Sequence, residues 1–328
     1  MIRLPAAAAV ALLSAVIAHA QADSKDPATG FPSRPMREIV PFPPGGGVDI
    51  VTRIVTAPWS EVLGQQIVVD NRAGAGGNLG ADLAAKATPD GYTLFTCNIA
   101  SHAVSPAVYS KLPYDFIKDF APISRIGMTP NVLVVNPSVP AHSVREFVDY
   151  VKASPGKYNY ASPGVGTSPQ LTMELFKLAA GINLVHVPYK GGAPALADVM
   201  GGQVMGMFGN MPEQLAAING GKTRALAVST LQRAPQLPDV PTVAESGYPG
   251  FEVTVWYGVC APAGVPKPIL AKLSATLLKV LNMPETKARL AQNSIEAAPT
   301  SPAEFLAFIK SEAAKFTKVV KDAGIPKR

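Results

Sequence analysis

Cysteine and histidine are scarce in this sequence: two cysteines, Cys97 and Cys260, and four histidines among 328 residues. Past the first twenty residues the histidines are His102, His142 and His186, with no spacing suited to a metal. Two distant cysteines make no disulfide framework. An oxidising compartment permits them to pair, and two buried free thiols are the preferred reading. Lys and Arg form no dense block, so nothing marks a nucleic-acid partner. Beyond the first twenty residues, no apolar stretch approaches membrane-spanning length without Gly, Pro or charge. Local enzyme and cofactor motifs also fail. There is no G-x-S-x-G element, and Ser154-Pro155-Gly156-Lys157 reads as a turn after a helix rather than an acyl-transfer S-x-x-K. Leu79 stands where a dinucleotide fingerprint starting at Gly74 needs its third glycine. Ala216 stands where a P-loop ending Gly221-Lys222-Thr223 needs its first.

What is present begins with the N-terminus. Arg3, an apolar run from Leu4 to Ile17, and Ala18-His19-Ala20 read as a signal peptide over residues 1–20, cleaved after Ala20. No cysteine follows to carry a lipid anchor, so a soluble protein outside the inner membrane is expected. Loss of Arg3 lowers the formal charge from +6 by one, a mild positive balance compatible with small anions. The chain is 48% hydrophobic with mean hydropathy +0.19, a globular composition. At this length two lobes are the default expectation.

Short β-like runs alternate with amphipathic helical runs, the pattern of an α/β fold with largely parallel sheets. Strands are expected over residues 37–42, 66–70, 92–96, 131–135, 158–161, 185–188, 225–228 and 253–259. Helices are expected over 48–63, 79–87, 143–153 (capped by Ser143), 169–180, 194–200, 267–281, 284–293 and 302–322. No low-complexity linker separates the lobes, as when a chain passes out and back through strands.

Seven segments carry a resemblance. They are Arg34 to Asp49 (with Pro43-Pro44-Gly45-Gly46-Gly47), Val69 to Asn78, Asp90 to Leu94, Tyr160 to Pro169, His186 to Gly191, Leu237 to Thr242, and Trp256 to Gly264. In this order they resemble the Bug-type receptors of tripartite tricarboxylate transporters. The resemblance implies a two-lobed, periplasmic-binding-protein-like fold of type II, with a ligand cleft between α/β lobes. Residues 21–130 plus 253–328 would form lobe 1, and residues 131–252 lobe 2. It also implies a periplasmic, monomeric, non-enzymatic protein without cofactor, a small organic-acid ligand, and a membrane permease of two dissimilar subunits. A module that binds the same ligand but signals to a membrane kinase is the alternative. Cys97 and Cys260 stand outside the family pattern, and Gly209-Asn210-Met211-Pro212 falls where it is looser.

The residues suit carboxylate capture on physical grounds. Backbone N–H groups at helix starts are rigid donors aligned with the helix dipole. Pro43 to Val48 and Ser162 to Ser168 each supply one after a strand and a turn. Phe42, Pro44, Gly45 and Gly46 from the first, and Ser162, Gly166, Thr167 and Ser168 from the second, are the candidate contacts. Asn98, Ala100, Ser101 and His102 follow a strand that opens onto the same cleft. Tyr189 and Asn210 complete the set, and Asp49 is read as a helix cap. The neutral lining, without an Arg clamp, points to hydrogen-bonded recognition. Cleft closure about residues 127–135 and 251–260 is the expected mechanism.

Overall fold

The computed structural model describes residues 26–325 and 327. The expected signal peptide therefore lies outside the described residues. Strand β1 (Met36–Val40), helix α1 (Gly47–Leu63), β2 (Ile67–Asn71), α2 (Asn78–Ala85) and β3 (Thr93–Asn98) open the fold, with β1 parallel to both β2 and β3. A wide helical turn at Ala100–Val104 runs into a short helix at Ser105–Val108. Strand β4 (Phe120–Val135) follows, then α3 (Val144–Lys152), β5 (Asn159–Ser162), α4 (Ser168–Ala180) and β6 (Val185–Pro188). Next come α5 (Gly192–Met200), β7 (Gly206–Asn210), α6 (Met211–Asn219) and β8 (Arg224–Val228). The chain ends with β9 (Thr254–Pro262), α7 (Lys267–Leu281), α8 (Pro284–Gln292), β10 (Glu296–Ala297) and α9 (Pro302–Asp322).

All ten strands join one sheet of order β2-β1-β3-β9-β4-β7-β5-β6, with β8 and β10 also on β4. The α/β expectation is borne out. Parallel pairing holds among strands linked by helices, β1 with β2 and β3, and β5 with β6 and β7. The strands that tie the two ends together, β4 and β9, run antiparallel to their neighbours. This sheet has two halves. Residues 120–130 of β4 pair with β9, whereas Asn131 to Val135 pair with β7 and β8. Each half has its own aromatic core: Trp59, Phe95, Trp256 and Phe305 in the first, Phe147, Tyr160, Phe176 and Phe208 in the second.

Main chain passes between the halves at Asn131 and just before β9, and one buried serine binds both passages. Ser229 Oγ accepts the Asn131 N–H at 2.9 Å and donates to the Val253 carbonyl at 2.5 Å. Its own N–H donates to the Asn131 carbonyl, and its carbonyl accepts the Val253 N–H, both at 2.9 Å.

The free-thiol reading is corrected. Cys97 on β3 and Cys260 on β9 form a disulfide, with Cα atoms 6.0 Å apart. Antiparallel pairing sets Phe95 opposite Cys260 and Cys97 opposite Gly258, so the two cysteines meet on the diagonal. Chain spacing carries no trace of that register.

Candidate functional site

Between the halves lies a narrow cleft. Helix starts wall it. Gly47 and Val48 begin α1, Ser168 and Pro169 begin α4, Gly192 begins α5, and Asn210 caps α6. The first of these belongs to one half and the other three to the opposite half. Phe42, Asn98, Ile99 and Ala100 close the first side, Pro163, Thr167 and Glu213 the second, and Val255 and Tyr257 of β9 the floor. No Lys, Arg or His is among the lining residues.

The start of α4 is left available by its cap. Thr167 turns its hydroxyl back to the Gly164 carbonyl at 2.7 Å, and no side chain caps the helix. Uncapped first-turn N–H groups and the helix dipole together favour an anion there. At α1, Asp49 accepts the Gly45 N–H at 3.0 Å, so it braces the turn before the helix and does not supply the cap expected of it. Burial pushes its carboxyl up, but hydrogen bonds from Arg53, Gly45 and Asn71 outweigh this and hold it below its usual range.

The structure brings seven of the anticipated residues to the cavity wall: Phe42, Gly46, Asn98, Ala100, Thr167, Ser168 and Asn210. Others stand elsewhere. Pro44 and Gly45 are exposed on the outer side of their turn. Ser162 is buried and bonded to His186 Nε2 at 2.6 Å. The Gly166 N–H donates to Gln170 Oε1 at 2.9 Å. Tyr189 lines an outer recess that shares Phe42 and Pro163 with the cavity, its hydroxyl donating to Asp198 at 2.6 Å.

Ser101 and His102 are corrections, because neither reaches the cavity. The wide turn after β3 swings them into the core, where both are fully buried. His102 packs its ring against Phe120, with centroids 4.8 Å apart, and bonds Ser101 Oγ through Nδ1 at 2.9 Å. Burial drives its pKa down to about 3, so the ring is neutral.

Sequence reasoning missed Glu213 and Tyr257. Glu213 Oε2 accepts the Gly47 N–H at 3.0 Å across the cleft, and Oε1 accepts the Asn210 N–H at 3.2 Å. Burial pushes this carboxyl up to about 7 against the pull of those bonds. One signal was available: Asn210-Met211-Pro212-Glu213 has the N-x-x-E spacing of a helix start. Tyr257 Oη is buried without a partner among the described residues. Burial and the neighbouring Glu213 hold its pKa well above the usual value.

A family model described as the tripartite tricarboxylate transporter family receptor matches residues 51–325. The chain belongs to that family. Its members are solute-binding receptors, not enzymes, and are periplasmic binding proteins. The receptor is 36% identical over 316 residues to BugT of Bordetella pertussis, covering 96% of this chain and 97% of BugT. An R. palustris protein solved with adipate superposes with TM-score 0.89 at 36% identity, covering 91% of this chain and all of the other. MatC from Rhodopseudomonas palustris, solved with bound malate, superposes with TM-score 0.85 at 33% identity, covering 88% and 100%. The Bug-type resemblance in the sequence is thus borne out.

Proposed function

We propose that the receptor captures a small organic carboxylate by closing its two halves, and hands it to a two-subunit membrane permease. The observation that carries this is the cavity itself, where helix starts from both halves converge and no cationic side chain intervenes. Relatives solved with adipate and malate support the ligand class. In this reading residues 21–130 with 253–328 and residues 131–252 move as two lobes. They turn on the strand passages around Asn131 and Val253, and a bound acid favours the closed state. The cavity-facing members of the set, Phe42, Gly46, Asn98, Ala100, Thr167, Ser168 and Asn210, contact the ligand. The receptor works as a monomer, freed from its signal peptide after Ala20 and without a lipid anchor.

A thermal-shift screen of organic acids that includes adipate and malate tests the reading. A ligand present at about a hundred times its Kd stabilises the folded state by about 2.7 kcal/mol, a plain rise in Tm. No shift with any acid, before and after unfolding and refolding to strip a retained ligand, would sink the proposal.

Closure itself has a separate test at Gly47. A Cβ there would lie 2.9 Å from Asn210 Cβ, across the cleft, and 3.0 Å from Tyr257 Oη. Gly47→Ala is expected to weaken binding roughly tenfold or more, the scale of an overpacking penalty of about 1–3 kcal/mol. Titration calorimetry that shows unaltered affinity would mean that the halves need not approach this closely.

A further inference from the structure

Glu213 is an odd group to find in a cavity built for anions. Glycines clear the space around it: a Cβ on Gly192 would come within 2.1 Å of Oε2, and one on Gly46 within 3.7 Å. Its carboxyl accepts three N–H donors, from Gly47 at 3.0 Å, Asn210 at 3.2 Å and Gln214 Nε2 at 3.3 Å. A carboxylate offers about four lone-pair positions, so acceptor capacity remains. The charged side chains on α1 do not use it, because Arg53 pairs with Asp49 at 3.0 Å.

Tyr257 supplies the second, independent observation. Tyr257 lines the same cavity, and its buried hydroxyl has no hydrogen-bond partner among the described residues. The position of a Gly47 Cβ is 3.0 Å from this oxygen, and the Gly47 N–H is the group that Glu213 holds. An acceptor with spare capacity and an unsatisfied hydroxyl therefore flank one glycine at one corner of the cavity. A buried hydroxyl without a partner is destabilising, and a fitting ligand group removes that cost.

We infer that Glu213 and Tyr257 read a hydroxyl group on the ligand, so that the receptor prefers hydroxy acids to the unsubstituted acids of the same length. This rests on the carboxylate-receptor reading and narrows it. A ligand hydroxyl donates its proton to Glu213 and accepts the Tyr257 proton on a lone pair, satisfying both. An ammonium has donors only and leaves Tyr257 unpaired. A second ionised carboxylate has no proton to give Glu213. A methylene satisfies neither. The ligand's own carboxylate then lies at the uncapped start of α4, away from Glu213.

Titration calorimetry of the protein with succinate against malate, and with butyrate against 3-hydroxybutyrate, isolates one hydroxyl at constant chain length. The hydroxylated member is expected to bind roughly tenfold or more tightly, since a site built for a hydroxyl strongly rejects the analogue without it. Glu213→Gln and Tyr257→Phe are each expected to cut that ratio to about threefold or less, the loss of one charge-assisted or one neutral hydrogen bond. Tyr257→Phe keeps the buried ring, and its melting curve shows that the fold is retained. Equal affinity within the pairs, or a ratio unchanged in both variants, overturns the inference and leaves the receptor reading standing. Binding confined to unsubstituted acids in the wider screen does the same. A screen with no hit at all removes both.

Discussion

Replacing Cys97 and Cys260 together by alanine is expected to lower the free energy of unfolding by about 5 kcal/mol, the loop-closure figure for a bond spanning 163 residues. The two sulfurs join β3 to β9, neighbours at the centre of the first half. Without the bond, the unfolded chain regains the freedom of everything between them, which includes the entire second half. Both cysteines are fully buried, so a reductant reaches the bond only after opening, and the double variant is the cleaner comparison. Denaturant titration measures the change as a lower midpoint, with a steeper slope because the uncrosslinked denatured chain exposes more surface. A loss below about 1 kcal/mol would show that the loop-closure account fails for this chain.

Glu38→Gln is expected to gain stability relative to the parent as pH rises, by roughly 2–3 kcal/mol between pH 5 and pH 8. Glu38 is buried in β1 with a pKa pushed up to about 7 by desolvation, against the hydrogen bond from Thr96 Oγ1 at 2.7 Å. Its Oε2 receives no donor among the described residues, so nothing there favours the ionised form. Between its ordinary value of 4.5 and about 7, the folded state holds a proton that the unfolded state has lost. The contribution of Glu38 is therefore full below pH 4.5 and disappears as pH rises through 7. Buried His102 works in the opposite sense, because its folded pKa near 3 makes acid the destabilising direction. The parent's own pH profile mixes these with Glu213, whose carboxyl is also pushed up to about 7, whereas the variant-minus-parent difference isolates Glu38. Denaturation at several pH values gives that difference directly, and a flat one would show Glu38 to be ionised in the fold.

Elements were legible where local chemistry and tertiary role agree. The bounds of α7 at Lys267–Leu281, α9 at Pro302–Asp322 and β6 at Val185–Pro188 are those the sequence predicts. Proline in the first turn marks both helices, and Ser301 with Glu304 forms a capping box on the second. Strand β7 stayed hidden because Gly206 and Gly209 depress strand propensity, yet a side chain at Gly206 would run into backbone: a Cβ there would lie 2.5 Å from the Val134 carbonyl oxygen. Only the last five residues of β4 were read, since Pro122, Arg125 and Pro130 break the apolar run. The sheet absorbs Pro122 at a register shift and pairs Pro130 with Thr254. At the site, residues just after strands were found in large part. Glu213 and Tyr257 were not, because their meaning depends on which helix start and which glycine lie opposite them. The resemblance carried the family; local patterning by itself carried only the α/β class.

The partition of the helix starts between the halves bears on how cargo is let go. A counter-cation on one wall would keep hold of an acid however far the other wall withdrew. Here α1 stands on one wall and the uncapped start of α4 on the other, so on the proposed closure their favourable potential adds up only while the walls are together. Separation by a few ångströms divides that potential and admits water to each N–H in turn. On the proposed closure, grip and geometry are one variable, and a partner that pried the walls apart would empty the receptor without displacing any charge.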